Sequence, residues 1–584
     1  MASTKTIISI DGKTLPSFET AHLTQMINDH HHFQVVLDME IVEKYGTHTI
    51  DASKDWLGKP IVIAFGDGEF LGTIINVQLN HANGFNGHLV ISGYSKTILL
   101  EGGKHVQSWL EKDLGTIVKE VAQAGGVDIE AKPVFTKPFE YQAQYRETHF
   151  RFLQRLARQH NEWFYYDGAK IVFGKPSLES PIDVEYGADM DSMSISIEAI
   201  PTKQNHFTYN PLDDKKEESK TKDTVAGLSE LGEFAFNKSK ELFGIVPNDF
   251  SDARVKDKSQ VDAVIKSQQG SAAAKSNVLR GSSTKIGLTV GSVIKVSAAH
   301  FQSGKSEKNN HGEFIITSIS HSANGLNGYS NTFEAISSGV EFLPAPNVNM
   351  PTAEAQLATV LSSKDPKSKG RVEVQFQWQT GEMKTAWIRV MTPDAGKSDK
   401  VGSNRGFVTI PEDGDQVMVG FRYNDPNRPF VLGSMFTGST GGGGGDANCS
   451  KSLTTRSGAT ITINDDEGDG HITISDPSGN IITLNGDETI TISAPTKITM
   501  ESKEIELLAE DKITITGDNN VEVNSKDILA KASTKMELTS DANMNVNSLS
   551  KEEKHTTFKI EAQATGDVKA NAMLNLNGGM LNLN

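Results

Sequence analysis

Short apolar pairs recur along the last part of the chain, and each pair encloses one polar residue. The first members of the pairs between Ile490 and Val523 are spaced by 8, 7, 8 and 8 residues. The pairs are Ile490/Ile492, Ile498/Met500, Ile505/Leu507, Ile513/Ile515, Val521/Val523, Met536/Leu538, Met544/Val546, Ile560/Ala562, Val568/Ala570, Leu574/Leu576 and Leu581/Leu583. Alternation of this kind predicts a strand with one buried face. Gly, Asp, Asn and Ser between the pairs predict tight turns.

A unit of about eight residues with two inward side chains is too thin to close a core alone, so it must stack on neighbours. Two arrangements remain open at this point. One chain could form coils of three units, or three chains could each supply one face of a narrow triangular prism. In the second case about 16 units at ~4.8 Å per layer would form a rod of roughly 75 Å.

The composition of 451–584 supports an ordered repeat with an unusual interior. This segment has one aromatic residue, Phe558, and its 12 basic and 21 acidic residues give it a charge of −9. A globular domain of this length normally buries several aromatic side chains. Disorder would not maintain a period of about eight over roughly 100 residues.

Upstream of a Gly-rich linker (437–450), the segment 370–436 has the pattern of a small β-barrel. Alternating strands are predicted at Gly370–Trp378, Thr385–Val390, Gly406–Pro411, Gln416–Phe421 and Asn424–Gly433. Gly, Pro and Asp separate them, which is typical of an OB-type barrel. The ordered blocks G-R-V-E-V-Q-F-x-W, A-W-I-R-V, I-P-E-D-G-D-Q-V-M-V-G-F and D-P-N-R-P-F-V-L-G resemble the OB domain of VgrG proteins, the spikes of type VI secretion.

The N-terminal part, 1–345, combines strands with two helices. Strands are predicted at Thr6–Ile10, Phe33–Met39, Pro60–Phe65, Gly72–Leu79 and His88–Ser92, with turns at Asn83-Gly84 and Asn86-Gly87. Apolar spacing predicts helices near 108–124 and 147–159. The polar run 213–222 is predicted to be a surface loop. The stretch from Tyr145 to Ala157, followed by Glu162–Tyr166, resembles the VgrG hub pattern.

The resemblance therefore covers nearly the whole chain and implies a mainly β fold. We expect a phage-hub-like pair of β-barrels with a helical insertion (1–345), a linker (346–369), an OB barrel (370–436), the Gly-rich linker (437–450) and a trimeric intertwined β-helix needle (451–584).

Whole-chain composition excludes several classes of function. The 584 residues carry a net charge of −17, which disfavours a nucleic-acid-binding surface. The single cysteine, Cys449, excludes an internal disulfide framework and a multi-cysteine metal site. The N-terminus lacks a signal-peptide pattern, and no run of about 18 apolar residues is present.

No residue cluster predicts catalysis or a cofactor. His30-His31-His32 is interpreted as a solvated turn rather than a metal tract, because consecutive side chains diverge. Cys449 is interpreted as a free thiol in a mobile segment. Asp465, Asp466, Glu467 and Asp469 are interpreted as a solvated turn, because calcium-loop spacing is absent. We expect no bound metal or cofactor.

The family resemblance implies a homotrimer whose hub sits on Hcp-type tube rings, next to baseplate proteins. It also implies a PAAR-type tip protein, secreted effectors and transient contact with a target membrane. The chain stops inside the repeat, so we expect exposed edges that bind the tip cap through Leu581, Asn582, Leu583 and Asn584. We expect cytoplasmic assembly, followed by secretion or injection on contraction.

Neither the toxin domain nor the lysozyme insert of some relatives is present, so we expect a spike without enzyme activity. The alternatives are the spike of an extracellular contractile particle or phage-like tail, a spike with cell-wall hydrolase activity, and a β-helical adhesin.

Overall fold

The computed structural model describes residues 6–41, 49–66, 68–81, 87–302, 305–445 and 447–582. Contacts between Cα atoms divide the chain into two compact units, Met1–Gly443 and Gly444–Asn584. The predicted mainly β fold is confirmed. None of the helices in these ranges is both long and apolar enough to span a membrane.

The first unit begins with a sheet around an apolar core. Its strands are β1 (Thr6–Ile10), β2 (Lys13–Thr14), β3 (Thr20–Met26), β4 (His32–Asp38), β5 (Pro60–Phe65), β6 (Gly68–His81) and β7 (Gly87–Ser95). A one-turn helix, α1 (Thr49–Ser53), lies between β4 and β5. All five strands predicted in this region are present. The predicted turns at Asn83-Gly84 and Asn86-Gly87 fall outside the described residues, except for Gly87.

Two helices and five short strands pack on this sheet. They are β8 (His105–Trp109), α2 (Leu114–Ala124), β9 (Ile129–Ala131), β10 (Gln142–Glu147), α3 (His149–His160), β11 (Phe164–Tyr166) and β12 (Ile171–Phe173). The predicted start of the first helix near 108 is wrong, because β8 occupies that position. Asp113 caps α2 by accepting a hydrogen bond from the Thr116 amide. Thr148 caps α3 in the same way, through the Arg151 amide.

A second ring of strands completes the N-terminal part. Its elements are β13 (Ile182–Tyr186), β14 (Met190–Ile197), β15 (Asn205–Asn210), β16 (Lys215–Lys220), α4 (Glu230–Leu242), β17 (Asn248–Phe250), α5 (Lys258–Ala273), β18 (Asn277–Ser283), β19 (Val293–Gln302), β20 (Lys305–Asn324) and β21 (Tyr329–Ser337). The strand order β13-β14-β18-β21-β20-β19 returns to β13, so these strands form a closed barrel. Strand β20 also pairs with β3, which joins the barrel to the first sheet.

The polar run 213–222 was predicted to be a surface loop. This prediction is wrong, because the run contains β16. This strand pairs along its whole length with β15. Neither α4 nor α5 was predicted. Their apolar faces are weak, and α5 buries several Ser, Gln and Gly residues instead of a continuous aliphatic stripe. A helix of that composition lacks the apolar period on which sequence prediction depends.

A small barrel ends the first unit. Its strands are β22 (Gln356–Ser362), β23 (Arg371–Phe376), β24 (Ile388–Arg389), β25 (Ala395–Gly396), β26 (Arg405–Gly406), β27 (Gln416–Phe421) and β28 (Pro429–Ser434). Five of them form a sheet in the order β24-β23-β22-β27-β28, and a bridge between Val390 and Val431 closes it. The predicted linker 346–369 therefore contains the central strand of this sheet. The strand predicted at Gly406–Pro411 is reduced to Arg405–Gly406.

The second unit begins with five antiparallel strands in chain order. They are β29 (Ser450–Thr454), β30 (Thr460–Asn464), β31 (His471–Ser475), β32 (Ile481–Leu484) and β33 (Ile490–Ser493). From 494 to 582 the single chain forms no strand. Bends recur there every seven or eight residues, for example at 503, 510, 518, 526 and 533. The chain direction thus changes with the period predicted from the apolar pairs.

Candidate functional site

The second unit presents a continuous apolar face that the single chain does not cover. In the five-stranded sheet, Ile461 lies opposite Ile474, and Ile463 lies opposite Ile472. The next strands extend both columns, because Ile474 is paired with Ile482, and Ile472 with Leu484. The same face continues to Ile490 and Ile492.

These side chains are exposed to an extent that is unusual for aliphatic residues. Ile490 is 67% exposed and Ile492 is 59% exposed. Soluble monomers rarely expose contiguous apolar patches larger than a few hundred Å². We call this face, together with the apolar pairs that follow it to Leu581, the apolar stripe.

The stripe continues through the segment without strands. The side chains of the stripe that are exposed there are Ile498, Met500, Ile505, Leu507, Ile513, Ile515, Val521, Val523, Met536, Leu538, Met544, Val546, Ile560, Val568, Leu574, Leu576 and Leu581. Between 494 and 582, no backbone amide donates to a backbone carbonyl of another described residue. Unpaired backbone groups and uncovered apolar side chains occur along the same segment. Such backbone groups are free to pair with strands of other chains, and an apolar face of this kind is typical of an interface.

The predicted tip residues lie at the end of the stripe. Leu581 is 57% exposed and Asn582 is exposed. Leu583 and Asn584 fall outside the described residues. Their contact with a cap protein stays a prediction.

The residues singled out for possible metal chemistry are not brought together. Asp465, Asp466, Glu467 and Asp469 lie in an exposed turn between β30 and β31, as predicted. Asp465 pairs with Lys451 at 2.7 Å. Cys449 is a half-buried free thiol. Within the described ranges, no three His, Cys, Asp or Glu side chains form a group that could hold a metal ion.

The interpretation of His30-His31-His32 as a solvated turn is wrong for the first two residues. His30 stacks on Phe150 of α3 with ring centroids 3.7 Å apart, and its Nδ1 lies 2.7 Å from the Thr97 hydroxyl. His31 is completely buried, and burial lowers its pKa to about 3. His32 is exposed on β4. Strand β4 begins at His32, one residue earlier than predicted. The alternation of buried and exposed side chains extends back to His31, which points inward.

The stretch from Tyr145 to Ala157 forms the base on which the small barrel sits. Arg155 of α3 is fully buried and donates from Nε and Nη2 to the two carboxylate oxygens of Glu147, both at 2.8 Å. Its Nη2 also donates to the Ala143 carbonyl at 2.7 Å. This bidentate pair fixes the end of β10 against α3.

The block Asp425–Phe430 of the small barrel meets this base. The Asn427 side chain accepts a hydrogen bond from the Ala143 amide at 2.8 Å. Arg428 donates to the Ser251 carbonyl at 2.6 Å. The Tyr145 hydroxyl accepts from Gln356 of β22. Hydrogen bonds that join Gln356, Asn427 and Arg428 to separate segments of the N-terminal part therefore hold the small barrel in place.

We expect the Arg155→Met substitution to destabilise the first unit by about 3–5 kcal/mol, because it leaves the Glu147 carboxylate buried without a counter-charge. Urea unfolding of the full-length protein, followed by tryptophan fluorescence, measures the change. The matched control is Arg151→Met on the exposed side of α3, for which we expect a change of at most about 0.5 kcal/mol. Equal losses in the two variants would contradict the prediction.

Two family models match the chain. Residues 31–187 match the phage tail baseplate hub (GPD), and residues 356–436 match the type VI secretion system/phage-baseplate injector OB domain. The second match begins at β22, in agreement with the structure and not with the predicted start at 370.

Curated relatives also match the chain. The type VI secretion system spike protein VgrG1a of Pseudomonas aeruginosa is 23% identical over 386 residues, which cover 60% of this chain and 57% of that protein. VgrG1b of the same organism is 24% identical over 335 residues, covering 51% and 42%. The chain spans about half the length of these relatives. A chain of the Francisella PdpA-VgrG complex in its lidless form has a similar fold, with a TM-score of 0.51 at 8% identity, covering 84% of this chain and 98% of that one.

Proposed function

We propose that this chain, which is a VgrG-like protein by its matched hub and OB regions, forms a trimeric spike at the tip of the inner tube of a type VI secretion machine. The observation that carries this proposal is the apolar stripe. Over 494–582 a single chain leaves the aliphatic side chains of the stripe exposed, and its described backbone amides and carbonyls form no hydrogen bonds with each other. Three copies would cover the stripe by turning it inward, where each chain supplies one face of a prism.

The proposed mechanism is mechanical. Contraction of a sheath would drive the tube, and the spike would breach the target membrane. A rod whose layers are hydrogen-bonded between chains resists buckling, because bending must break pairing in all three chains. The acidic residues of 451–584 would point outward and keep the rod in solution.

The proposed partners follow from the same arrangement. The N-terminal part would sit on Hcp-type tube rings beside baseplate proteins. The end of the stripe near Leu581 would bind a PAAR-type tip protein, which would carry effectors. The spike would assemble in the cytoplasm and leave the cell on contraction.

None of the alternatives is favoured. The names of the relatives describe type VI secretion spikes, which supports that machine over a free contractile particle. No observation in the described residues favours cell-wall hydrolysis, and the residues considered for chemistry are dispersed. The names of the two spike relatives support a spike function for this chain.

We expect the purified full-length protein to have three times the mass of its 63.4 kDa chain. Size-exclusion chromatography with light scattering measures this mass directly. The matching control is the same chain ended after Gly443, which lacks the stripe. A stable folded full-length monomer would contradict the proposal, because the stripe would then have no cover.

Secretion provides the functional test. Deleting the gene in its host should abolish export of the tube protein, and complementation should restore it. Loss of tube-protein export in the deletion strain, together with a trimeric mass for the purified protein, would support the proposal. Unchanged export in a strain without other spike genes would contradict it.

A further inference from the structure

A cavity of about 580 Å³ lies inside the first unit, between the small barrel and the N-terminal part. One wall consists of the end of β15, with Thr208 to Leu212, and of residues 254–256. The opposite wall comes from the small barrel, mainly from β24 with its flanking residues and from the start of β28. Its size is typical of sites that bind small molecules.

The lining is strongly cationic, although the whole chain carries a charge of −17. Seven basic side chains line the cavity: Arg254, Lys256, Lys369, Arg371, Arg389, Arg422 and Arg428. Glu140 is the one acidic lining residue among those that the structure describes there. It already pairs with Arg254 at 3.0 Å and with Lys256 at 2.6 Å.

Two of the remaining cations also form ion pairs, with carboxylates that do not line the cavity. Arg371 pairs with Asp365 at 2.7 Å, and Arg428 pairs with Asp425 at 2.9 Å. Three cations are left, namely Lys369, Arg389 and Arg422. Within the described part of the chain, none of their side chains forms a hydrogen bond or an ion pair. An excess of positive charge therefore faces the cavity.

The cationic side chains that line the cavity lie close to one another. Burial lowers the pKa of the Arg422 guanidinium, and the neighbouring cations Arg428, Arg254 and Arg389 lower it further. Like charges confined in this way repel each other, and a bound anion relieves that repulsion. Guanidinium groups bind phosphate in a planar, bidentate geometry.

The cavity also has an apolar side. Trp387, Met391 and Phe430 line it next to the basic residues. An inorganic ion would leave this surface uncovered. A ligand that combines anionic groups with an apolar or aromatic body would fill both parts.

We propose that this cavity binds a phosphate-bearing organic anion of nucleotide size. Its phosphates contact Arg389, Arg422 and Lys369, and its body lies against Trp387. A ligand that fills the cavity also reaches Tyr209 and Arg254 on the opposite wall, so it stabilises the seating of the small barrel on the N-terminal part. The site is separate from the apolar stripe, and its existence does not depend on the proposed spike function.

Binding of ATP to the full-length protein, measured by isothermal titration calorimetry, tests the proposal. We expect saturable binding that weakens as sodium chloride is raised. The double variant R389Q/R422Q should bind ATP at least tenfold more weakly, and neither substitution leaves a hydrogen-bond partner behind. The matched control K400Q/R405Q removes two positive charges from an exposed part of the same barrel and should bind like the wild type.

Two further probes test the anionic part and the aromatic part of the ligand separately. Inorganic phosphate and adenosine should each bind at least tenfold more weakly than ATP. Unchanged ATP affinity in R389Q/R422Q, equal losses in both double variants, or phosphate binding as tight as ATP binding would overturn the proposal. Light scattering on each variant shows that the assembly has kept its mass.

Discussion

Replacing Ile513 and Ile515 by aspartate opens the second unit to protease while a neighbouring substitution does not. In the proposed prism, these side chains point inward from each of three chains. The double variant therefore buries six carboxylates in one narrow layer, where each unpaired ion costs several kcal/mol. We expect trypsin to cut at Lys512 and Lys503 at least roughly a hundredfold faster than in the wild type, because cleavage follows the population of the open state.

The same repeat unit supplies the control. Thr514 lies between the two isoleucines, so alternation turns its side chain to the outer face. Thr514→Asp adds the same chemical group one position away and should leave the digestion rate and the trimer mass unchanged. Peptide mapping locates the cuts, and light scattering reports whether the assembly persists. Similar digestion rates for the two variants would mean that the stripe does not face inward.

The sequence of the second unit shows the period of its repeat, but it does not show which strands pair with each other. The pairs at Ile505/Leu507 and Ile513/Ile515 fix the spacing of the bends, because apolar alternation and turn residues are local signals. In one chain the segment 494–582 forms no ladder of backbone hydrogen bonds between strands. In the proposed trimer its pairing groups belong to other copies, and the sequence of one chain does not contain their position.

The first sheet and the small barrel were largely predictable for the same local reason. Strands such as Pro60–Phe65 and Gln416–Phe421 are short apolar runs beside turn residues, with Gly66 after the first and Gly414-Asp415 before the second. Strand β22 was not predicted, because the sequence blocks that resemble an OB domain begin only at Gly370. Helix α5 was not predicted because it buries polar side chains such as Gln269, which forms two hydrogen bonds with the Lys222 backbone.

The cavity between the two parts could not be predicted. Arg389 and Arg428 lie in two blocks that predict strands and turns, and Arg254 lies far from both in sequence. Only the seating of the small barrel brings them to one cavity. Charge that is dispersed along an acidic chain becomes concentrated by the tertiary fold, and local patterns carry no signal for that.

Three buried histidines make the first unit sensitive to acid. Burial is the main cause that lowers the pKa of His31, His160 and His321 to about 3. An unfolded chain protonates histidine near pH 6.5. Between pH 6.5 and 3 the unfolded state therefore binds more protons than the folded state, and stability falls as the pH falls.

The expected loss is about 1.4 kcal/mol per pH unit for each histidine within this window. At pH 5 the three residues together should reduce the free energy of unfolding by about 6 kcal/mol relative to pH 7. Urea unfolding at several pH values, followed by the fluorescence of the buried Trp163, measures this slope.

Two of these histidines share a buried network that provides the decisive variant. Nε2 of His321 lies 3.1 Å from Oε1 of Gln25, and Nδ1 of His31 lies 3.4 Å from Nε2 of the same residue. The double variant H31Q/H321Q removes two titrating groups, so the slope should decrease by about 2.7 kcal/mol per pH unit whatever its stability at pH 7. Replacing His22, which is exposed on β3, by Gln should keep the wild-type slope. A wild-type slope in H31Q/H321Q would show that other groups cause the acid sensitivity, since the substituted residues could no longer take up protons.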